Sequence, residues 1–565
     1  MRRASVLVVN TLAISLSAIP DAVRADGAAG RSADLPALFD WRGLYVGYHS
    51  GGVLGLADVG DPYGPSLFGD TVRTPGMLAG GQVGYNWLFG RELLGLEADA
   101  SWADTDGTNT CLAFSGFYVG SNCHTHIDAL GTLTARLGWA LGADGRTLLY
   151  AKAGAAWVHG ETDVLVNGGL GYPGTSADGL RWGYTLGAGA ERALNERWSL
   201  RAEYDFLSVD GPGFTTPVSG FQAVPDAIGT LVNVAGAASD VSLDLHVLKL
   251  GVNYRLGDGA PLVDPDFGLG TMRAPIPASW ELEAGARYVY GWGRFQKDLG
   301  IPGLGQSSLA SRLTYEDMTT NGAEIVARVD APFNVMVKGV LGTGSGGGHM
   351  NDEDWALPFA LFVPYSNTIS DVDNKIHYGT IDVGYAWWRG EGFRAAPFVG
   401  YSYFRQEMDV FGCRQIANPN SDCVPPIPTS VLALTETDTW RALRLGTAVD
   451  FSLAPRLKLS GEAAYLPYVS FTGTDDHVLR QLLSPEDGQG IGVQLEAMLT
   501  YAITDALRVG VGGRYWSMWT TSGDVNFGGA GIFVPMQYKV EQAAVLVQGS
   551  YTFGAAPDAA PVPLK

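Results

Sequence analysis

Leu248-Lys249-Leu250-Gly251-Val252-Asn253-Tyr254-Arg255-Leu256 alternates without a break. In an extended strand Leu248, Leu250, Val252, Tyr254 and Leu256 share one face, and Lys249, Gly251, Asn253 and Arg255 share the other. Similar runs recur along the 565 residues, in a chain holding 77 Gly, 15 Trp and 24 Tyr. None of them reaches the roughly twenty consecutive apolar residues of a transmembrane helix. Short alternating segments rich in Gly and aromatics are the per-strand signature of an outer-membrane β-barrel. A soluble all-β protein would alternate likewise, with fewer outward aromatics.

The chain divides by pattern. Arg2 and Arg3, the apolar stretch Val6 to Ile19 and Val23-Arg24-Ala25 read as a secretory signal over residues 1–25. Residues 40–256 hold about eight alternating segments, as in the smallest membrane barrels. Residues 257–279 carry Pro261, Pro265, Pro275 and Pro277 with little periodicity and read as a periplasmic linker. Residues 280–554 hold about ten longer segments, within the range of such barrels. Residues 555–565 form a short tail. The expected fold is all-β, two transmembrane antiparallel barrels in tandem, in the outer membrane of a Gram-negative bacterium. Charges on the inner face of the second barrel must pair, so its lumen should be a filled, charged core and not a wide pore.

A formal net charge of −21 excludes nucleic acid as a partner and suits cationic ligands. The four cysteines fall in two local pairs, Cys111 with Cys123 and Cys413 with Cys423. In an exported chain they read as loop-stapling disulfides, and their spacing is wrong for zinc. No metal site is expected.

Two short motifs carry chemistry. Asp352-Glu353-Asp354 and Asp475-Asp476-His477 each place their key groups at i and i+2, on one face of a strand. If the two strands face each other across a cavity, a carboxylate pair opposes a carboxylate–histidine pair. Such a set can hold and deprotonate water. The parities differ. Asp352 and Asp354 keep that of inward Lys338, whereas Asp475 and His477 share that of Leu459 and Val469, expected to face lipid. A β-bulge between Val469 and Asp475, with Gly473 as its natural site, would turn them inward.

The first half, opening with Trp41-Arg42-Gly43-Leu44-Tyr45-Val46-Gly47, resembles the small eight-stranded outer-membrane barrels of the OmpA type. The second half resembles the omptins, ten-stranded outer-membrane proteases. Gly348-His349-Met350-Asn351-Asp352-Glu353-Asp354-Trp355 is similar to that family's G-N-M-x-D-x-D-W motif, and Thr474-Asp475-Asp476-His477 to its D-E-H motif. The hairpin around Trp387-Trp388-Arg389-Gly390, followed by Val399-Gly400-Tyr401, also fits. The resemblance implies an aspartic-type surface endopeptidase. His477, oriented by Asp475, would act as general base on water, and Asp352 and Asp354 would hold that water. No acyl-enzyme would form. Peptides or proteins at the cell surface would be the substrates, and lipopolysaccharide the surrounding lipid and a candidate requirement for activity, with no other cofactor.

Omptins that cut between basic residues carry an acid where this chain has Gly473, and another near the position of Gln296. Both are read as substrate-binding positions, and their loss points away from strict dibasic specificity. Readings of other classes are a non-catalytic adhesin or structural barrel, and a small-solute pore.

Overall fold

The computed structural model describes residues 38–553 apart from short segments, of which 223–230, 257–279 and 356–364 are the longest. The expected signal peptide, linker and tail lie outside the described residues. Eight long antiparallel strands between Gly43 and Leu256 pair with their sequence neighbours, and the first closes on the last, Leu44 opposite Leu256 and Val59 opposite Val241. Ten long strands between Glu281 and Phe553 do the same, with Leu282 opposite Phe553. Closure leaves neither sheet with a free edge to expose in lipid. The tandem eight-plus-ten architecture read from the alternation is the one observed.

The alternation sorts by environment as well. Lys249, Gly251, Asn253 and Arg255 are buried in the first lumen. Tyr288, Tyr290, Trp292, Leu341, Val399, Tyr401, Val545 and Val547 stand exposed on the outside of the second barrel. That inversion, charge inside and hydrocarbon outside, suits a wall whose solvent is lipid.

Both lumens are packed with paired charge. In the first, Lys152 meets Glu203 at 2.9 Å, Lys249 meets Asp99 and Asp205 at 3.0 Å each, and Arg201 meets Glu97 at 2.6 Å. In the lower half of the second, Glu324 binds Arg287 at 2.8 Å and Arg514 at 2.7 Å, and Glu496 binds the same two arginines at 3.0 and 2.6 Å. Above this network lies an aromatic layer: Phe471 stacks on Tyr538 at 4.1 Å and packs on Trp440 at 4.6 Å, and Phe295 packs on Tyr315 at 5.7 Å. All five rings are buried, so the layer separates the lower network from the mouth.

The barrels pack against each other. At membrane depth Leu200, Leu250 and Val252 of the first meet Phe393, Val449 and Phe451 of the second. Gly52 permits the approach: a Cβ there would stand 2.6 Å from the Leu495 side chain. Toward the outside the contact turns polar, with Arg73 on Glu541 at 2.9 Å. Both expected disulfides, Cys111–Cys123 and Cys413–Cys423, are formed.

The charge network generates a stability test. Replacing Glu324 with Ala leaves Arg287 and Arg514 sharing one carboxylate. Breaking a buried pair in this way typically costs about 3–5 kcal/mol. The Glu324→Ala protein should unfold at a clearly lower urea concentration in detergent, and an unchanged midpoint would show that the network does not bear on stability.

Candidate functional site

The strand Leu457–His477 carries the parity change that the sequence required, at a different place. Leu443 pairs with Tyr468 and Leu445 with Tyr465 on one side, and Leu466 with Gly492 and Val469 with Gly490 on the other. The extra residue therefore lies between Leu466 and Val469, not at Gly473. Pro467 sits in that gap, and having no N–H to give the ladder, it is tolerated in a bulge. Below it Glu462, Ala464 and Leu466 point inward, and above it Val469, Phe471 and Asp475 do. Val469 is fully buried in the lumen and does not face lipid as the alternation alone suggested.

The opposite wall needs no such device. The strand Val335–Asp354 pairs without interruption with Ser366–Tyr385, so Asp352 and Asp354 keep the inward parity of Lys338. Both motifs lie beyond the outer aromatic band marked by Trp292 and Tyr468, hence outside the membrane. They share one mouth: the negative charge of Asp475 acts on Asp352. Arg480, on the turn after His477, reaches Asp422 beside the Cys413–Cys423 disulfide at 3.5 Å, an exposed contact between loops at this end of the barrel.

The electrostatics of the two pairs differ. Burial, and then the charge of Asp354, push the Asp352 carboxyl well above the usual carboxylate range. Burial raises Asp354 to about 6. Two close carboxyls in a poorly solvated place tend to share a proton. The Nε2 of His477 faces Asp475 Oδ1 at 3.4 Å. Burial lowers the imidazole below its ordinary value, and the charge of Asp475 opposes this.

Beneath Asp475 is a cluster that sequence reasoning missed. The Lys297 ammonium binds Asp475 Oδ2 at 2.7 Å, Glu486 Oε1 at 3.0 Å and, closer still, Glu436. Oxygens of Glu436, Asp475 and Glu486 lie within 4.8 Å of one another, a spacing suited to one cation, and Lys297 supplies it. Asp438 also points into this group and feels the charge of Glu486. A signal was present: Glu436-Thr437-Asp438 repeats the i, i+2 acidic spacing of the other motifs.

The two positions assigned to substrate binding fare differently. Gly473 borders the cluster, where a Cβ would come 2.8 Å from Glu486 Oε2 and 3.1 Å from Asp438 Oδ1. The acid missing at Gly473 thus has counterparts on the neighbouring strands. Gln296 points out of the lumen toward the first barrel, its amide donating to the Thr108 carbonyl at 3.3 Å and to Asp298 Oδ1 at 2.8 Å. Strand alternation explains this, because Lys297 is the inward residue, and Gln296 cannot line the cleft.

Sequence comparison agrees with the two-barrel division. Residues 32–256 match the outer membrane protein beta-barrel domain, and residues 311–529 match the Omptin family. The 31 kDa outer-membrane immunogenic proteins of Brucella melitensis and Brucella suis are each 27% identical over 224 residues, covering 38% of this chain and 84% of theirs. Among solved structures, the outer membrane protease OmpT from Escherichia coli aligns over 50% of this chain and 100% of its own, at 13% identity and a TM-score of 0.41. OprG from Pseudomonas aeruginosa aligns over 39% of this chain and 99% of its own, at 11% identity and a TM-score of 0.25. The chain is an outer-membrane protein of two barrels, the second omptin-like.

The surroundings of His477 set its titration. With its pKa held below 6.5 by burial, the imidazole stays neutral to lower pH than a free histidine. Nitrogen-15 NMR of histidine-labelled protein, with the His477 signal assigned by its loss in His477→Ala, should show that ring titrating below the ordinary midpoint. Asp475→Asn removes the charge that opposes burial, so the midpoint should fall further. A wild-type midpoint at or above 6.5 would contradict the geometry described.

Proposed function

We propose that the second barrel is a surface endopeptidase of omptin type, with its cleft at the outer mouth and peptide or protein substrates. The observation that carries this reading is the placement of the two motifs: Asp352 and Asp354 stand on one wall, His477 pairs with Asp475 on another, and the charge of Asp475 bears on Asp352.

The chemistry follows from the donors available. With Nε2 turned to Asp475, Nδ1 of His477 is free to take a proton from water. The resulting hydroxide adds to the scissile carbonyl carbon. The shared proton of Asp352 and Asp354 offers a hydrogen bond to the oxygen where negative charge develops. When the C–N bond breaks, the imidazolium returns its proton to the leaving amine. Asp475 faces the imidazolium through Oδ1 and steadies it, while Lys297 Nζ holds its Oδ2 in place.

Lys297 also bears on specificity. A substrate Arg or Lys side chain would need the carboxylates that Lys297 already engages, and an unpaired cation in a narrow cleft costs several kcal/mol. The reading is therefore poor cleavage between basic residues, with smaller or neutral side chains accepted. The acidic mouth still attracts cationic peptides at long range, an effect that salt weakens. The aromatic layer under the site argues against the pore reading.

The test is peptide-library cleavage by the purified protein in lipopolysaccharide. Asp352→Ala, Asp354→Ala, Asp475→Ala and His477→Ala should each leave a heat-modifiable barrel and lower hydrolysis by about 10²-fold or more, as expected on loss of general-base machinery. Lys297→Ala should raise the preference for Arg over Ala at the cleaved position by about tenfold, the worth of one freed charged contact. Full activity in His477→Ala would end this mechanism, and a wild-type preference for dibasic bonds would end the specificity reading.

A further inference from the structure

The residue between the two inward aspartates faces the other way. Glu353 is fully buried, with its carboxylate on the outer wall of the second barrel and against the first. Thr110 Oγ1 of the first barrel donates to Glu353 Oε2 at 2.6 Å and accepts from Arg312 Nη1 at 3.0 Å. Arg312 Nη2 donates to Asn122 Oδ1, again in the first barrel, at 2.7 Å. Arg312 also grips Asp298 at 2.6 Å, and Asp298 accepts from Thr108 at 2.8 Å. Asp298, Arg312 and Glu353 are register partners across three adjacent strands, so they form one polar row along the back of the cleft wall.

The gripping element is itself braced. Thr110 and Asn122 are direct cross-strand partners in the hairpin formed by Gly107–Phe114 and Phe117–Leu141. Each is the chain neighbour of a half-cystine of the Cys111–Cys123 disulfide. Next to Asp354, Trp355 presses on Gly120 of the same hairpin, where a Cβ would stand 2.0 Å from its Nε1. Two apposed barrels need only fit each other in lipid. A stapled hairpin bonded to the residue between two inward aspartates does more than that.

We propose that the first barrel positions the Asp352–Asp354 pair, through Thr110 acting on Glu353 and Arg312. Thr110 and Glu353 are positioning residues and do not touch substrate. Moving Glu353 along the strand axis or tilting it carries both neighbours with it, because all three share one short stretch of backbone. Misplacement of reacting groups by about 1 Å can cost on the order of 10²-fold in rate.

The inference rests on the protease reading for its kinetic arm alone. In the full-length protein, Thr110→Val keeps the side chain's shape and removes the hydroxyl, and Thr110→Ser keeps the hydroxyl. With wild type active, Thr110→Val should lower kcat about tenfold or more per folded molecule while changing KM little, and Thr110→Ser should restore it. A purely structural role would lower the yield of heat-modifiable barrel and leave kcat per folded molecule as it was. The second arm needs no activity. Backbone amides of 350–355 should exchange with deuterium several-fold faster in Thr110→Val than in wild type or Thr110→Ser, with 474–477 unchanged. Equal exchange in all three proteins overturns the proposal whether or not the chain cuts peptides. Faster exchange in Thr110→Val beside a wild type that cuts no peptide would support the clamp and count against the protease reading.

Discussion

Lipid on the outside of a barrel leaves its charged side chains one place to go, and that constraint governs the structure. A strand exposes alternate residues to opposite faces, so every charge kept from lipid enters the lumen and must find a partner there. Arg287, Arg514, Glu324 and Glu496 do so in a closed exchange of contacts. The same rule fills the first barrel with Lys152, Lys249 and their acids. Neither lumen is therefore a spacious channel, and the second barrel becomes a stiff pedestal for whatever its rim carries.

At that rim the balance of charge changes. Below the aromatic layer cations and anions are closely matched. Above it Glu436, Asp475 and Glu486 crowd around Lys297, with Asp438 beside them, and Asp352 and Asp354 form a second acidic pair. Burial, and for Asp352 the charge of Asp354 as well, holds the Asp352 and Asp354 carboxyls above the usual carboxylate range. Such crowding is costly to hold in shape. The contacts from the first barrel fall on this upper part of the wall.

Fusion of two barrels takes on a physical sense from these contacts. In lipid, apolar surfaces gain little from meeting each other, so association depends on close packing and on polar bonds. Gly52 gives the packing and the row Asp298, Arg312 and Glu353 gives the bonds. Part of that polar surface, Thr110 and Asn122 on Glu353 and Arg312, falls directly behind the aspartate pair.

What the sequence determined by itself follows from local rules. Alternation with period two revealed the strands, their faces and the two closed sheets. Local cysteine spacing revealed both disulfides, and the i, i+2 motifs singled out Asp352, Asp354, Asp475 and His477 as candidates. The tertiary structure decided what depends on neighbours distant in the chain. A single extra residue anywhere along a strand flips every side chain beyond it, so only the pairing could put the bulge at Pro467 and not at Gly473. The same alternation turned Lys297 inward and Gln296 outward. Lys297, Glu436 and Glu486 come from three strands far apart in sequence, and only barrel closure brings them together beneath Asp475.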